Sequence, residues 1–466
     1  MLGHETGNRG CRLGPTLAIR VYKFGGTSVR DAIRVMGVVQ LIAQARQPLI
    51  IVTSAPAGIT DLLQGITDHA TAQSAVTNLA DRFLALVSEV VAPSHQRQLS
   101  ALVGRQLEKV RAPESDADRA KHMSLGESLM APILAASLQH RGIRAVALDA
   151  RELICTDGAY LGGRVVFDVT TKRIQAAVER ALAHHGVMVV GGFIAGNAAG
   201  ETTTLGRNGS DYTASIVGAA VEADEVWIWT DVDGIYTADP RHHAAATLIP
   251  EISFRESAEA AYFGAKVVHP FTMWPLLDSQ TSLRIKNTLR PDQPGTLICH
   301  EPERRGSQLI VSTVDPVVVV TVGGYGLVGV PGVAAKVFGS IAAAGVNVLM
   351  ISQSSSEHNI SFVVHERESE SAVSAVNMDL AGWISDEHRV DRISVIKDAA
   401  IVTVVGEDMR GRVGIAGQIF SALGEVGVNV MVIAQGSSEY SISIVVKSAD
   451  VRLATDAILN AKGTGS

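Results

Sequence analysis

The sequence predicts an α/β protein with a mostly parallel central sheet sandwiched by helices, followed by two small α+β units. Near-continuous apolar runs, such as residues 187–193, are typical of parallel strands that are buried on both faces. These runs alternate with helical periodicity over residues 19–300, which indicates one layered α/β domain. Near the end of the chain, residues 345–364 closely match residues 427–446, which indicates a duplicated unit.

Composition limits the classes of function. The 466 residues include 40 Lys and Arg against 47 Asp and Glu, a formal charge of −7, so no nucleic-acid partner is expected. The three cysteines lie far apart and indicate neither a disulfide framework nor a metal site, and no metal ligands are assigned. No apolar run reaches the roughly 20 residues of a membrane span, and residues 1–18 lack the apolar core of a secretory signal. We therefore expect a cytoplasmic protein with a disordered tail over residues 1–18 and no membrane partner.

A glycine turn between the first strand and the first helix is suited to an anion. Residues 21–24 are predicted as a buried strand, Gly25 to Ser28 as a turn, and residues 29–45 as a helix. A helix N-terminus offers unpaired N–H groups and the positive end of a dipole, and Lys23 adds a fixed charge. The pattern favours phosphate contact over an ordinary tight turn, which would also need glycines.

Polar residues follow other predicted strands as well. Residues 49–54 are predicted as a strand, with Thr60 at the start of the next helix, and ligands gather at such strand ends. Glu127, in SLGESLM, lies in the first turn of another predicted helix, where it is either a partner of the helix dipole or a ligand contact. Residues 202–215, TTTLGRNGSDYTAS, are predicted as a polar, Gly-rich loop between a strand and a helix, which suits a phosphate.

A further segment, WTDVDGIYTADPR over residues 229–241, has the composition of a nucleotide contact. Its carboxylates and Tyr236 can bond a sugar and a base, and Arg241 supplies a cation for phosphate. A calcium loop is disfavoured because the segment lacks the closing Glu and the flanking helices of an EF-hand. Downstream, Lys266 lies near a predicted helix end, and residues 283–288, LRIKNT, are predicted as an edge strand.

Together these motifs resemble those of the aspartate kinases, in the same order and at the same spacing. The resemblance covers residues 19–298 and rests on KFGGTSV, SAPAGITDLL, SLGESLM, TTTLGRNGSDYTAS, WTDVDGIYTADPR, and AYFGAKVVHP with RIKNT. It implies the amino acid kinase fold over residues 19–300 and transfer of the γ-phosphate of ATP to the side-chain carboxylate of L-aspartate. That reaction uses Mg²⁺, gives 4-phospho-L-aspartate and is the first step towards lysine, threonine and methionine.

The resemblance also implies a role for each matching residue. The ATP contacts would be Lys23, Gly25, Gly26, Thr27, Thr230, Asp231, Tyr236, Arg241 and Lys266. The aspartate contacts would be Ser54, Thr60, Glu127 and Arg207, with Glu127 facing the ammonium group and Arg207 the α-carboxylate. Lys23, Asp211 and Lys266 would form the catalytic set, in which Asp211 organises Lys23. A carboxylate nucleophile is already ionised at neutral pH and needs no general base, so the barrier falls mainly through positioning and positive charge.

Two positions depart from the commoner motif forms. Asn208 stands where many members have a second glycine, and Pro56 interrupts the loop before Thr60. The GRNGSDY form resembles aspartate kinases that are fused to homoserine dehydrogenase. No dehydrogenase domain is expected here, because only about 20 residues of the sequence follow the second repeat, too few for another domain. Neither the P-loop pattern GxxxxGK[ST] nor the hydrolase pattern GxSxG is present.

The duplicated unit resembles a pair of ACT regulatory domains, over residues 314–392 and 398–463. Each copy is predicted as strand, helix, strand, strand, helix, with the second copy 82 residues after the first. The resemblance implies a regulatory amino acid, threonine rather than lysine, and a homo-oligomer, dimer or tetramer, formed through these domains. Effector contacts would be Asn347, Gln353, Asn429 and Gln435, whose amides both donate and accept. The alternative for the two asparagines is that they cap turns.

Three hypotheses for the function follow. The first is an active aspartate kinase that is inhibited by an end-product amino acid. The second is a catalytically silent paralogue that senses an amino acid and binds a partner subunit. The third is a kinase for another amino acid, such as glutamate. The presence of both substrate and phosphate contacts favours the first.

Overall fold

The computed structural model describes residues 19–45, 48–184, 186–264, 267–303, 309–353, 358–385, 390–436 and 439–461. Two predictions lie outside these residues, the tail over residues 1–18 and the position of Lys266. The chain forms two compact units, one from residues up to 233 with 271–300, and one from 234–270 with residues from 301 onward. The predicted boundary between a catalytic and a regulatory part at residue 300 stays a prediction.

Strands and helices alternate in the first half of the chain, as predicted, and further strands form the repeats. The strands are β1 (Arg20–Phe24), β2 (Leu49–Thr53), β3 (Ala145–Leu148), β4 (Val187–Gly191), β5 (Ile194–Gly196), β6 (Thr202–Thr204), β7 (Glu225–Thr230), β8 (Glu251–Ser253), β9 (Ser282–Asn287), β10 (Thr296–Cys299), β11 (Ile310–Gly323), β12 (Met350–Gln353), β13 (Asn359–His365), β14 (Arg392–Val405), β15 (Val432–Gln435) and β16 (Ser441–Lys447).

The helices include long amphipathic ones and short connecting turns. They are α1 (Ala32–Ala43), α2 (Ile59–Gln64), α3 (His69–Val90), α4 (Pro93–Leu107), α5 (Asp116–Met123), α6 (Leu125–His140), α7 (Ala150–Leu153), α8 (Phe167–His184), α9 (Gly209–Ala220), α10 (Phe254–Tyr262), α11 (Pro270–Met273), α12 (Val333–Ala343), α13 (Glu366–Asp379), α14 (Ala381–Ser385), α15 (Ile415–Glu425) and α16 (Val451–Asn460). No helix in the described ranges has the length and apolar character needed to cross a membrane.

The first unit contains the mostly parallel sheet, which confirms the predicted fold class. Its strands run in the order β3, β4, β2, β1, β7, β9, β10. The pairs from β3 to β9 are parallel, and only β10 pairs antiparallel with β9. Strands β2 and β4 are buried at every residue, and α1, α3 and α6 pack on one face of the sheet around Phe83, Leu129 and Leu134. Helix α9 also packs against β1, β2 and β7, and α8 packs against β4. This coverage explains why the strands read as continuous apolar runs.

Three details of this unit differ from the prediction. The stretch LRIKNT is not an edge strand, because β10 pairs with β9 on the side away from β7. Strand β3 is not among the strands predicted from the sequence, since its four residues are too few to show alternation. Residues Thr202–Thr204 form β6, paired with β5, instead of opening the predicted loop. All three threonines are buried, and such β-branched side chains favour strands.

The second unit contains the two repeats, each with the predicted order of strand, helix, strand, strand, helix. They share one antiparallel sheet in the order β12, β13, β11, β14, β16, β15, with the long strands β11 and β14 paired at its centre. The duplication extends to single hydrogen bonds. Thr321 Oγ1 lies 2.9 Å from Ser361 Oγ in one copy, and Thr403 Oγ1 lies 2.8 Å from Ser443 Oγ in the other.

Residues 234–270 belong to this second unit and are attached to its second repeat. The N–H of Val311 donates to the carbonyl oxygen of Thr237 at 2.7 Å, and Ala238 lies in the hydrophobic core of that repeat with Met409 and Ile419. Further along the segment, Nδ1 of the buried His243 lies 2.7 Å from Oδ1 of Asp456 on α16. The segment is therefore fastened to the repeat by both apolar and polar contacts.

Candidate active site

Parallel strands bring predicted site residues of the first unit to one edge of the sheet. The register pairs Lys23 on β1 with Val52 on β2 and Ile228 on β7, and Val52 with Val190 on β4. The segments that follow these strands therefore leave from the same edge. This is the edge at which open α/β sheets bind ligands.

Lys23 and Asp211 form a buried ion pair at this edge. Lys23 Nζ lies 2.5 Å from Oδ1 of Asp211, and the side chains are only 11% and 16% exposed. Asp211 lies in the first turn of α9, which begins after Asn208 in the left-handed conformation with φ 56°. Asparagine tolerates that conformation better than most residues, so its presence in place of the commoner glycine leaves the helix start intact.

The glycine turn after β1 contacts the loop after β2. The N–H of Gly25 donates to the carbonyl oxygen of Trp229 at 3.3 Å, and the N–H of Ala57 donates to that of Gly26 at 3.0 Å. A Cβ atom on Gly26 would lie 2.8 Å from the carbonyl oxygen of Ala55, so only glycine allows this approach. Thr27 follows in a short 3₁₀ turn and is exposed.

Glu127 is a buried carboxylate in the first turn of α6. Its side chain is 3% exposed, and Oε2 has no hydrogen-bond partner in the described part of the chain. Burial raises the pKa of Glu127 to about 7, although hydrogen bonds with the backbone of Ala55 and of Glu127 itself, and the charge of Lys23, oppose that rise. A partner of the helix dipole alone needs no such burial. An unpaired buried oxygen instead indicates a contact for a ligand cation.

Close packing of α6 against the loop after β2 holds Glu127 in this position. A Cβ atom on Gly126 would lie 2.4 Å from Cβ of Ala55 and 3.0 Å from Cγ2 of Ile59. We expect Gly126→Ala to lower the free energy of unfolding by about 1–3 kcal/mol, the usual cost of overpacking, as measured by denaturant titration.

Gly104 in α4 provides the matched control, because an added Cβ meets no atom within 4 Å there. Gly104→Ala is expected to raise the free energy of unfolding by about 0.5–1 kcal/mol through helix propensity. Equal changes in the two variants would show that the contact with Ala55 has no energetic weight.

The remaining predicted aspartate contacts lie at the ends of neighbouring strands and helices. Ser54 directly follows β2, Thr60 lies in the first turn of α2, and Arg207 is exposed just before α9. The loop that contains Pro56 is ordered by its own hydrogen bonds. The N–H of Ser54 donates to Phe24 O at 3.0 Å and that of Ile59 to Pro56 O at 3.0 Å. Pro56 therefore fits this loop without disturbing the start of α2.

Comparison with known families accounts for this arrangement. Residues 18–287 match the amino acid kinase family, which is more than half of the chain. The chain belongs to this family. Residues 320–380 and 402–461 match the ACT domain, which identifies the two repeats of this amino acid kinase.

Among relatives, the chain is 38% identical over 447 residues to a bifunctional aspartokinase/homoserine dehydrogenase from Haemophilus influenzae. The match covers 92% of this chain but 54% of that relative. A chloroplastic bifunctional relative from Zea mays is covered to 49%. This amino acid kinase thus spans about half the length of the bifunctional relatives it matches.

Solved structures of E. coli aspartokinase III are similar along nearly the whole chain. The complex with aspartate and ADP is 26% identical, with a TM-score of 0.74, and the match covers 95% of this chain and 99% of that one. The complex with lysine and aspartate is 27% identical, with a TM-score of 0.80, and the match covers 96% and 99%. These comparisons confirm the resemblance to aspartate kinases with ACT domains that the motifs indicated.

The predicted nucleotide contacts of this amino acid kinase divide between the two units. In the first unit, Thr230 ends β7 and its carbonyl oxygen accepts from both the N–H and the hydroxyl of Thr288, at 2.8 and 3.0 Å. Asp231 follows and is exposed. In the second unit, Tyr236 is half-buried, and Arg241 is 81% exposed with Nη2 2.7 Å from Oδ2 of Asp239. Lys266 lies outside the described residues.

Several residues that organise this site had no role in the sequence prediction. Phe193 has a φ of 67°, unusual for a bulky residue, and its N–H donates to Oγ1 of Thr213 at 3.0 Å. A Cβ on the preceding Gly192 would lie 2.7 Å from Cβ of Ser210, so the loop after β4 contacts the start of α9. Side-chain amide hydrogens of Asn287 bond Oδ1 of Asp233 at 2.6 Å. In the sequence, only the Gly-Gly-Phe segment that ends at Phe193 and the Lys-Asn-Thr segment around Asn287 could have indicated these residues.

The predicted effector residues occupy equivalent places in the two ACT repeats. Asn347 and Asn429 are exposed and follow the repeat helices α12 and α15, and Gln353 and Gln435 end the outer strands β12 and β15. In the second repeat, Gln435 lines a cavity of about 360 Å³ together with residues 411–417, which run from a loop into the first turn of α15. This cavity includes the start of α15, so it joins a strand end to a helix N-terminus.

Proposed function

We propose that this amino acid kinase transfers the γ-phosphoryl group of ATP to the side-chain carboxylate of L-aspartate. The observation that carries the proposal is the buried Oε2 of Glu127, which has no hydrogen-bond partner in the described part of the chain. A substrate ammonium group would restore the missing partner of Glu127. The complex of aspartate and ADP with E. coli aspartokinase III, a similar structure, supports the same pair of ligands.

The chemistry needs positive charge more than proton transfer. An aspartate carboxylate oxygen forms the new bond to phosphorus while the bond from phosphorus to the leaving oxygen of ADP breaks, and no proton moves. Lys23 would neutralise charge on the phosphoryl oxygens, and Asp211 would hold the ammonium group of Lys23 in one position. Gly25 and Gly26 would let the phosphates approach the backbone N–H groups.

Mg²⁺ is proposed to enter with ATP. In the described ranges, no group of three or more His, Cys, Asp and Glu side chains could hold a metal ion. Mg²⁺ fits this donor set because it usually keeps several waters and binds through substrate phosphates with one or two carboxylates. Asp211 is the carboxylate beside Lys23, and Asp231 is an exposed carboxylate after β7. The ion would supply further positive charge at the phosphates.

An assay of ADP release with ATP, Mg²⁺ and either L-aspartate or L-glutamate tests this proposal. We expect turnover with aspartate and at least tenfold lower kcat/KM with glutamate, about 1.4 kcal/mol of discrimination. Turnover with glutamate but not with aspartate would show that the substrate is glutamate. No turnover with either amino acid at millimolar concentration would refute the kinase proposal and leave the silent paralogue as the alternative.

Arg207→Ala is expected to raise the KM for aspartate by about 10- to 100-fold, because a charged hydrogen bond contributes about 1.5–3 kcal/mol. Folding should be unaffected, since Arg207 is exposed. Steady-state kinetics and a thermal melt measure the two effects, with Arg97→Ala on the exposed side of α4 as the matched control. Lys266→Ala is expected to lower kcat in the same assay. Unchanged kinetics in both site variants would refute the proposed site residues.

Feedback inhibition by an amino acid is proposed to act through the ACT repeats, with threonine as the first candidate and lysine as the second. Threonine rests on the motif resemblance to the bifunctional enzymes alone, and the lysine complex of E. coli aspartokinase III supports lysine. An inhibition series with threonine, lysine and methionine discriminates between them, and a flat response to all three would remove the regulatory proposal. We also propose a cytoplasmic homo-oligomer formed through ACT domains over residues 314–392 and 398–463, with the catalytic domain over 19–300.

A further inference from the structure

A second cavity in the first unit shares no residue with the proposed aspartate or ATP contacts. Its volume is about 530 Å³, and it lies among α4, α5, the start of α6, α7 and β6. Sites for small molecules usually have volumes of this order. Thr202 and Leu125, which line the cavity, are close in sequence to Arg207 and Glu127, so the cavity adjoins elements of the proposed active site.

His122 is the polar group of this cavity that lacks a partner. Its side chain is 6% exposed, and Nδ1 has no hydrogen-bond partner within the described ranges. Burial lowers the pKa of His122, although the charge of Asp118 and a hydrogen bond to the backbone of Lys109 oppose that effect. Burial therefore favours the neutral ring, and in the tautomer that carries its proton on Nε2 the Nδ1 atom has a free lone pair. Nδ1 is left as an acceptor that needs a donor from a ligand.

Arg151 supplies a cation that is already fixed in position. Its Nη2 and Nε lie 2.6 and 2.9 Å from the two carboxylate oxygens of Asp149, and its Nη1 lies 3.4 Å from the hydroxyl of Thr202. A guanidinium group held in this way loses little entropy when it binds a carboxylate. Lys109, Arg111 and Lys121 add positive charge to the lining, and Glu108 and Asp118 add negative charge.

We propose that this cavity binds a small carboxylic acid that carries a hydroxyl or ammonium group beside its carboxylate. The carboxylate contacts Arg151, and the hydroxyl or ammonium group donates to Nδ1 of His122. The cavity contains both basic and acidic side chains, which suits a ligand that carries an anionic group and a donor group. A simple anion would also leave Nδ1 of His122 without a donor. This site does not depend on the proposed kinase reaction.

Nitrogen NMR of the histidine rings in the ¹⁵N-labelled chain of 466 residues tests the proposal. The Nδ1 resonance of His122, assigned by its loss in His122→Asn, is expected to move upfield with L-malate or with L-serine. These two probes distinguish hydroxy acids from amino acids. Succinate has two carboxylates but no such donor, and it is expected to leave the resonance in place at the same millimolar concentration.

Variants show whether the response is local. Arg151→Gln should abolish the shift while the His122 resonance remains, and Arg97→Gln on the exposed side of α4 should preserve it. Should Arg151→Gln fail to fold, Lys121→Gln, whose side chain is 58% exposed, should still weaken malate or serine binding several-fold. No shift with malate or serine, an equal shift with succinate, or an unchanged response in both site variants would overturn the proposal.

Discussion

Lys23→Met is expected to lower kcat by about 10²- to 10³-fold, the loss typical of removing one preorganised donor. It should also lower the free energy of unfolding by about 3–5 kcal/mol, because Asp211 is then buried without its partner. The burial of the pair supports the second effect, since the two side chains are only 11% and 16% exposed. Steady-state kinetics and denaturant titration measure the two effects separately.

The double variant Lys23→Met with Asp211→Asn separates catalysis from stability. Removing the second charge should restore most of the lost free energy of unfolding, whereas kcat should stay low because no cation returns to the phosphates. Lys172→Met on the exposed side of α8 is the matched control and should change neither quantity. A single variant with wild-type kcat would refute a catalytic role for Lys23.

Glu127→Gln is expected to stabilise the protein at pH 8 and to impair aspartate binding. Folding raises the pKa of Glu127 from 4.5 to about 7. Between pH 4.5 and pH 7 the carboxyl group is therefore protonated in the folded state and ionised in the unfolded state. The stabilising contribution of the protonated carboxyl is complete below pH 4.5 and is lost as the pH rises through 7. At pH 8 the free energy of unfolding of the wild type is therefore lower by about 3 kcal/mol than below pH 4.5. The glutamine side chain of the variant has no charge, so the variant shows no such loss.

Denaturant titration at pH 5 and pH 8 should therefore show a small difference between wild type and Glu127→Gln at pH 5 and a large one at pH 8. In kinetics, the KM for aspartate should rise by about 10- to 100-fold in the variant, as expected for loss of a charged hydrogen bond. In the wild type the same KM should fall as the pH rises through 7. Glu89→Gln on α3, which is exposed, should show none of these changes. A pH-independent difference in stability would contradict the burial of the charge.

Local patterns predicted most elements of the first unit. The run from Arg20 to Phe24 and the glycine turn after it were predicted because a buried strand and a tight turn each have a short-range signature. Strand β6 and the central position of β9 were not, since both depend on pairing with distant residues. The repeats were predicted because a duplication is visible without any knowledge of packing.

The site was only partly predictable, for a related reason. Motif resemblance selected Lys23, Glu127 and Asp211, and the structure brings Lys23 and Asp211 into contact. The missing partner of Glu127 Oε2 and the raised pKa of this residue arise from the tight packing of α6, which spacing along the chain cannot report. The roles of Arg207 and Lys266 stay predictions.

The attachment of residues 234–270 to the second repeat has a thermodynamic consequence. Tyr236 and Arg241 lie in a segment whose Ala238 is part of the hydrophobic core of that repeat and whose His243 bonds α16. If this segment contacts ATP with different affinity in two conformations of the repeat, a ligand that favours one of these conformations also changes nucleotide affinity. Linkage is reciprocal, so ATP must then change the affinity for that ligand by the same factor. The two affinities would form one measurable coupling free energy.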